Sequence, residues 1–161
     1  MQRKEKILQI LESTDNQIID FMNKASKYRE NNLITYSKNI FIPLTEICKN
    51  DCGYCNFKKT PDDPSAIILK TKEEVLASLK EAERYGCNEA LFTFGEDADE
   101  EESVQQKLAE FGYENIVDYV FDICKMTLEE TSLLPHTNGG NFSYESLKKL
   151  KEVNASMGMM L

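Results

Sequence analysis

The stretch Cys48-Lys-Asn-Asp-Cys52-Gly-Tyr-Cys55 places three of the chain's five cysteines within eight residues, with three and then two residues between them. It follows an apolar run, Ile40-Phe-Ile-Pro-Leu44, in which Ile40 and Ile42 alternate with Phe41. That alternation predicts a strand over Thr35 to Leu44, with Pro43 suited to a strand about to leave its sheet. Thiolates are soft ligands suited to iron–sulfur clusters, zinc and copper(I). Cys52 and Cys55 can reach one centre from a tight turn, Cys48 reaches it from one turn earlier, and Gly53 lets the backbone bend close to it.

The number of cysteines narrows the chemistry. A structural zinc site takes four protein ligands, and a ferredoxin-type cube takes four cysteines. No fourth ligand lies nearby: Cys87 and Cys124 are distant, and His136 is the only histidine. A four-iron cube held by Cys48, Cys52 and Cys55 would keep one iron open to a small molecule, with the Tyr54 ring beside it. The competing readings are a structural zinc knuckle and three unrelated core thiols.

Around this loop, helical and extended patterns alternate. Lys4 to Leu11 predicts a short helix, and a second follows with Ile18, Phe21, Met22 and Ala25 on one side and a capping box of Thr14 and Gln17. Residues 58–65, with two prolines, predict a loop. Thr71 and Glu74 form a capping box for a helix carrying Val75, Leu79 and Ala82 and ended by Gly86. Glu89 to Phe94 predicts the second strand, followed by Gly95-Glu96 and an acidic run to Glu102 that reads as a solvated loop and helix start. Helices carrying Val104 and Leu108, and then Ile116, Val120, Ile123 and Cys124, precede a third strand from Ser132 to Thr137. Asn138-Gly139-Gly140 predicts a turn, Ser143 caps a further helix, and Ser156 to Leu161 predicts a fourth strand.

This alternation gives an α/β fold with parallel strands and right-handed crossovers, a piece of a (β/α) barrel or of an open sheet. The expected division is a helical extension over 1–33 and the α/β part over 34–161. At 161 residues, 41% hydrophobic and 29% charged, the composition is that of a globular chain. A net charge of -9 argues against nucleic acid or an anionic membrane as the main partner. No apolar run approaches the ~20 residues of a membrane span. The charged start, Met1-Gln-Arg-Lys-Glu-Lys, is unlike a signal peptide, and the odd, clustered cysteines favour a reducing cytoplasm.

Ligands of parallel α/β folds bind at the carboxyl ends of the strands. Three features fall there: the cysteine loop, Gly95-Glu96, and His136-Thr-Asn138. Gly95 would let a ligand approach the backbone, and Glu96 could accept hydrogen bonds from an ammonium group. His136 could act as an acid or base near neutral pH, and Asn138 could contact a bound cosubstrate. The structural alternatives are a turn glycine, a surface carboxylate, a hydrogen-bonding histidine and a turn asparagine.

The cysteine spacing, with an aromatic before the last cysteine, resembles the signature of the radical S-adenosylmethionine (radical SAM) enzymes. The resemblance implies a [4Fe–4S] cluster on Cys48, Cys52 and Cys55 whose open iron chelates S-adenosylmethionine, giving a 5′-deoxyadenosyl radical that abstracts hydrogen. Gly95-Glu96 resembles the stretch that contacts the amino group of that cosubstrate, with the usual paired glycines reduced to one. Further phrases, namely Ile34 to Thr45, Cys52-Gly-Tyr-Cys-Asn-Phe57, Glu89 to Glu96, Leu134-Pro-His-Thr-Asn138 and Leu150 to Gly158, are similar to the family of FO synthase subunit 1 (CofG). That family implies ring closure, with loss of ammonia, of a hydroxybenzyl-ribitylamino-uracil adduct supplied by subunit 2 (CofH), and an external electron donor. A glycine at 139 departs from the proline expected there. The likeness covers about the first half of such a barrel, so the chain is expected to be truncated after about the fourth strand. Biotin-synthase-like or hydrogenase-maturase-like radical enzymes, a metal-binding module and a non-catalytic fragment are the alternatives.

Overall fold

In the computed structural model, residues 2–29 and 33–159 are described. The chain divides into two compact units, residues 1–36 and 37–161. The first holds α1 (Gln2–Leu11) and α2 (Asn16–Ser26). The expected Thr14 capping box is not formed. The chain enters α2 through Asp15 at φ 49, and its first turn is closed by the Thr14 and Asp15 carbonyls, which accept from Gln17 and Ile18, each at 3.1 Å.

The second unit is a four-stranded sheet in the order β1 (Asn39–Pro43), β2 (Glu89–Thr93), β3 (Leu134–Gly139) and β4 (Ser156–Met159), every neighbour parallel. Each connection carries helix: α3 (Lys72–Arg84), then α4 (Glu102–Glu110) with α5 (Ile116–Glu130), then α6 (Tyr144–Leu150). When consecutive strands add in order and crossovers share one hand, all helices fall on one face. This makes the sheet a barrel segment, not a doubly wound sheet, whose strand order reverses. Burial agrees: Ile42, Ala90 and Phe92 face the helices at 2% exposure or less, while Phe41 on the opposite face is 43% exposed.

α3 forms as its sequence dictates. Glu74 N–H donates to Thr71 Oγ1 at 3.2 Å, and Thr71 N–H donates to Glu74 Oε2 at 2.8 Å. At its far end Gly86, at φ 71, lets the Gly86 and Cys87 amides fold back onto the Glu83 and Ala82 carbonyls. Cys124 is fully buried on α5, and burial pushes its thiol up to about 11.

Boundaries differ from the sequence expectation at β1 and β3. β1 begins at Asn39, because pairing with β2 starts at Glu89; just before it the Lys38 carbonyl accepts from the Asn88 amide at 2.7 Å. Asn138 and Gly139 belong to β3 and do not form a turn. Glycine is needed at 139 for packing, since a Cβ there would meet the Phe94 and Phe142 rings at 2.6 Å. Met160 and Leu161, expected in the fourth strand, lie outside the described residues.

Asp122 on α5 ties the helical layer together. Its carboxylate accepts from the Tyr113 hydroxyl at 2.6 Å and from Lys72 of α3 at 3.0 Å. The Tyr113 donor first, and Lys72 after it, hold this carboxyl below its ordinary range against partial burial. A lowered folded-state pKa stabilises the fold above the unfolded value of ~3.9, and that stability is lost as pH falls through the folded value. Asp122→Asn is expected to cost about 1 kcal/mol or less at pH 7, because both charges are partly solvated. In urea unfolding at stepped pH, the wild-type advantage should vanish below the folded pKa; a constant difference at every pH would disprove this linkage.

Candidate functional site

The sequence directly after β1 builds the site. The Leu44 amide donates to the Thr93 carbonyl and the Lys70 amide to Leu44, both at 2.9 Å. The cysteine loop is then closed at its base. Ile47, buried, bridges to Lys59, and the Lys59 amide donates to the Glu46 carbonyl at 2.9 Å. The Glu46 carboxylate accepts from the Ile67 amide at 2.8 Å and pairs with Lys59 Nζ at 2.9 Å. The Lys59 ammonium, then the Ile67 amide, hold this carboxyl below the usual range against partial desolvation.

Above that base, a cleft of about 630 Å³ opens at the carboxyl ends of the strands. Cys48, Cys52 and Cys55 line it together with Tyr54, Gly95 and Glu96. All three thiols are free; Cys48 is half-buried, and Cys52 and Cys55 are exposed. The Cys55 amide donates to the Cys52 carbonyl at 3.0 Å, forming the tight turn expected of two residues between ligands. The apolar wall includes Phe41 and Phe57, whose ring centroids are 5.2 Å apart.

Glycine sets the approach of the surrounding strands and loops. A Cβ at Gly95 would lie 2.4 Å from Cys48 Cβ and 2.6 Å from its Sγ, so only glycine lets β2's end meet the first cysteine. A Cβ at Gly140 would lie 2.4 Å from Glu96 Cα. Gly140, expected only as a turn residue, therefore fits the loop after β3 against the acidic residue.

Two further contacts were invisible in the sequence. Asn50, between the first two cysteines, donates through Nδ2 to Glu96 Oε2 at 2.6 Å. Lys49 Nζ lies 2.6 Å from a Glu100 carboxylate oxygen and 3.4 Å from one of Asp97. Two carboxylates of the acidic run, exposed as expected, thus pair with the cysteine loop, while Asp99 accepts from the Ile116 amide at the start of α5 at 3.1 Å. Asn50 and Lys49 could be found only by knowing which loops meet; their residue types carry no periodic signal.

His136 and Asn138 are not among the residues lining this cleft. His136 lies on β3 with Nδ1 2.7 Å from Ser156 Oγ and 3.9 Å from Glu89 Oε1. Asn138 Oδ1 is buried without a hydrogen-bond partner among the described residues.

Among the described residues, no group of three or more His, Cys, Asp or Glu side chains converges as ligands of one metal ion. The three thiols line the cleft without meeting at one point. Three soft donors on one cleft, the half-buried Cys48 packed closely by Gly95, are a donor set that fits a cluster. No helix among the described residues is long and apolar enough to cross a membrane.

Comparison with known proteins agrees with this geometry. The sequence pattern of the Radical SAM superfamily matches residues 42–161. A 7,8-didemethyl-8-hydroxy-5-deazariboflavin synthase of Methanobrevibacter smithii is 99% identical over 140 residues, covering 87% of this chain and 41% of the relative. The synthase of the same name from Methanocaldococcus jannaschii is 46% identical over 159 residues, covering 98% of this chain and 43% of the relative. The chain thus spans less than half the length of these relatives. Among solved structures, HydG, a maturase of the [FeFe]-hydrogenase, superposes with a TM-score of 0.60 at 24% identity, covering 89% of this chain and 30% of that one. That likeness concerns the fold alone. The pattern match begins within β1 and takes in the whole cysteine loop and every later strand, so the chain belongs to the radical SAM superfamily.

Proposed function

We propose that this chain is the first half of a (β/α) barrel, residues 34–161 after a helical extension, that forms the deazaflavin chromophore FO from a hydroxybenzyl-ribitylamino-uracil adduct. The supporting observation is the convergence of Cys48, Cys52, Cys55 and Glu96 on one cleft at the strand ends. The substrate assignment is supported by the similarity to the named synthases.

In this reading Cys48, Cys52 and Cys55 hold a [4Fe–4S] cluster. When bound, the cluster with S-adenosylmethionine supplies hydrogen-atom abstraction. Glu96 accepts hydrogen bonds from the cosubstrate's ammonium group, and Asn50 keeps the carboxylate aimed at the cysteine loop. Tyr54 edges the cleft, Gly95 lets the ligand and Cys48 approach β2, and the Phe41 and Phe57 rings give it an apolar wall. His136 and Asn138 belong to the substrate side. Subunit 2 supplies the adduct, an external donor supplies the electron, and a reducing cytoplasm keeps the thiols free.

The test is anaerobic reconstitution with iron and sulfide, followed by reduction and assay of 5′-deoxyadenosine released from S-adenosylmethionine, with and without the adduct. Release that disappears in Cys52→Ala, and FO fluorescence that requires the adduct, are the expected results. Tight zinc with neither iron nor sulfide would identify a metal-binding module instead. Release without FO would redirect the search to another radical reaction.

A further inference from the structure

The sheet face turned away from the helices carries two rows of side chains in register. Pro43, Thr93, Asn138 and Gly158 form one, and Phe41, Leu91, His136 and Ser156 form the next towards the amino ends. The rows change character across the sheet: the β1–β2 side is apolar apart from Thr93, and the β3–β4 side presents an imidazole, an amide and a hydroxyl.

On that polar side, one buried acceptor lacks a partner and an anchored imidazole stands beside it. Asn138 Oδ1 is a buried acceptor with no hydrogen bond among the described residues. An unpaired buried acceptor is unfavourable and asks for a donor. The His136 ring is anchored through Nδ1 to Ser156 Oγ at 2.7 Å. Its Nε2 turns towards Gly158. A Cβ at Gly158 would point between the two groups, 3.2 Å from His136 Nε2 and 3.4 Å from Asn138 Oδ1. Glycine leaves no side chain between the two atoms, so a ligand meeting Asn138 Oδ1, which is itself buried, would enter over residue 158.

We propose that His136 and Asn138, over Gly158, form a recognition subsite for a planar heterocycle presenting an N–H donor beside a carbonyl acceptor. The ligand N–H donates to Asn138 Oδ1. With the Ser156 hydroxyl donating to Nδ1, the His136 Nε2–H donates to the ligand carbonyl. The aromatic remainder lies against Phe41 and Leu91. This rests on the function proposed above, in which the heterocycle is the uracil ring and the remainder the hydroxybenzyl group.

His136 is the only histidine in the chain, so the imidazole nitrogen signals report this subsite alone. The 161-residue chain, labelled at histidine with nitrogen-15, is titrated with ribitylamino-uracil and with its ring-N-methylated analogue. The unmethylated ligand should shift the imidazole signals saturably. Affinity should fall at least about tenfold for the methylated ligand and for Asn138→Ala, which loses the acceptor. Gly158→Ala, whose methyl fills the space, should also lose binding. Backbone amide spectra check that each variant is folded. An imidazole unmoved by the uracil, or Asn138→Ala binding as tightly as wild type, would overturn the subsite. Failure of the subsite while FO still forms leaves the proposed function standing; uracil binding through His136 without FO formation removes that function and keeps the subsite.

Discussion

Gly95→Ala is expected to reduce iron and sulfide uptake at least about tenfold while preserving the sheet. The added methyl would stand 2.4 Å from Cys48 Cβ, 2.6 Å from its Sγ and 2.8 Å from its Cα. Carbon atoms rest about 3.5–4.0 Å apart, so the deficit is about 1 Å. A rotamer change can move Sγ but not Cα, and β2 cannot retreat because Thr93 is paired on both sides, to Pro43 and Asn138. The cysteine loop must therefore withdraw, and a metal site displaced by about 1 Å loses its geometry. Overpacking of this kind costs about 1–3 kcal/mol, too little to unfold a typical domain of about 5–15 kcal/mol. Iron and sulfide analysis after anaerobic reconstitution, beside a circular dichroism spectrum, separates lost loading from lost fold. Full loading in the variant would show that the contact at Cys48 does not position the ligand.

The largest effect on stability is expected at Phe92. Its side chain is fully buried between β2 and the helices. Phe→Ala at such a site costs about 3–5 kcal/mol, from lost burial and the cavity left behind. That is a large share of the stability of an ordinary domain. Leu91→Ala, one residue away on the opposite face and only partly buried, should cost well under half as much. Urea unfolding should show a lowered midpoint at similar slope for Phe92→Ala. Equal costs at the two positions would mean that the core is not confined to the helix-facing side.

Much of this architecture was legible because local chemistry and tertiary packing agree. Thr71 and Glu74 cap α3, Gly86 ends it, Asn115 caps α5 through the Asp118 amide, and Ser143 caps α6. The cysteine loop and Gly95-Glu96 could be assigned to strand ends, and they meet in one cleft. The misreading and the missed contacts share a cause. Gly139 reads as a turn residue because glycine frees the backbone, yet its role is to admit two phenylalanine rings, which no local pattern reveals. The acidic run is a solvated loop and helix start, as its charge suggests, but its spacing does not show that Lys49 collects the exposed Asp97 and Glu100 from 48 and 51 residues away. The Asn50–Glu96 bond spans 46 residues. Contacts of that range depend on which loops the sheet brings together, and sequence spacing does not encode it.

The clasp beneath the cysteine loop has a consequence for handling in air. Glu46, Lys59 and Ile67 close the loop's two stems with main-chain and side-chain bonds that involve no thiol. The entropy of bringing the stems together is thus met by the protein itself. Oxygen damage at the thiols is therefore expected to leave a folded, empty vessel, and thiol reduction followed by fresh iron and sulfide should refill it without a refolding step.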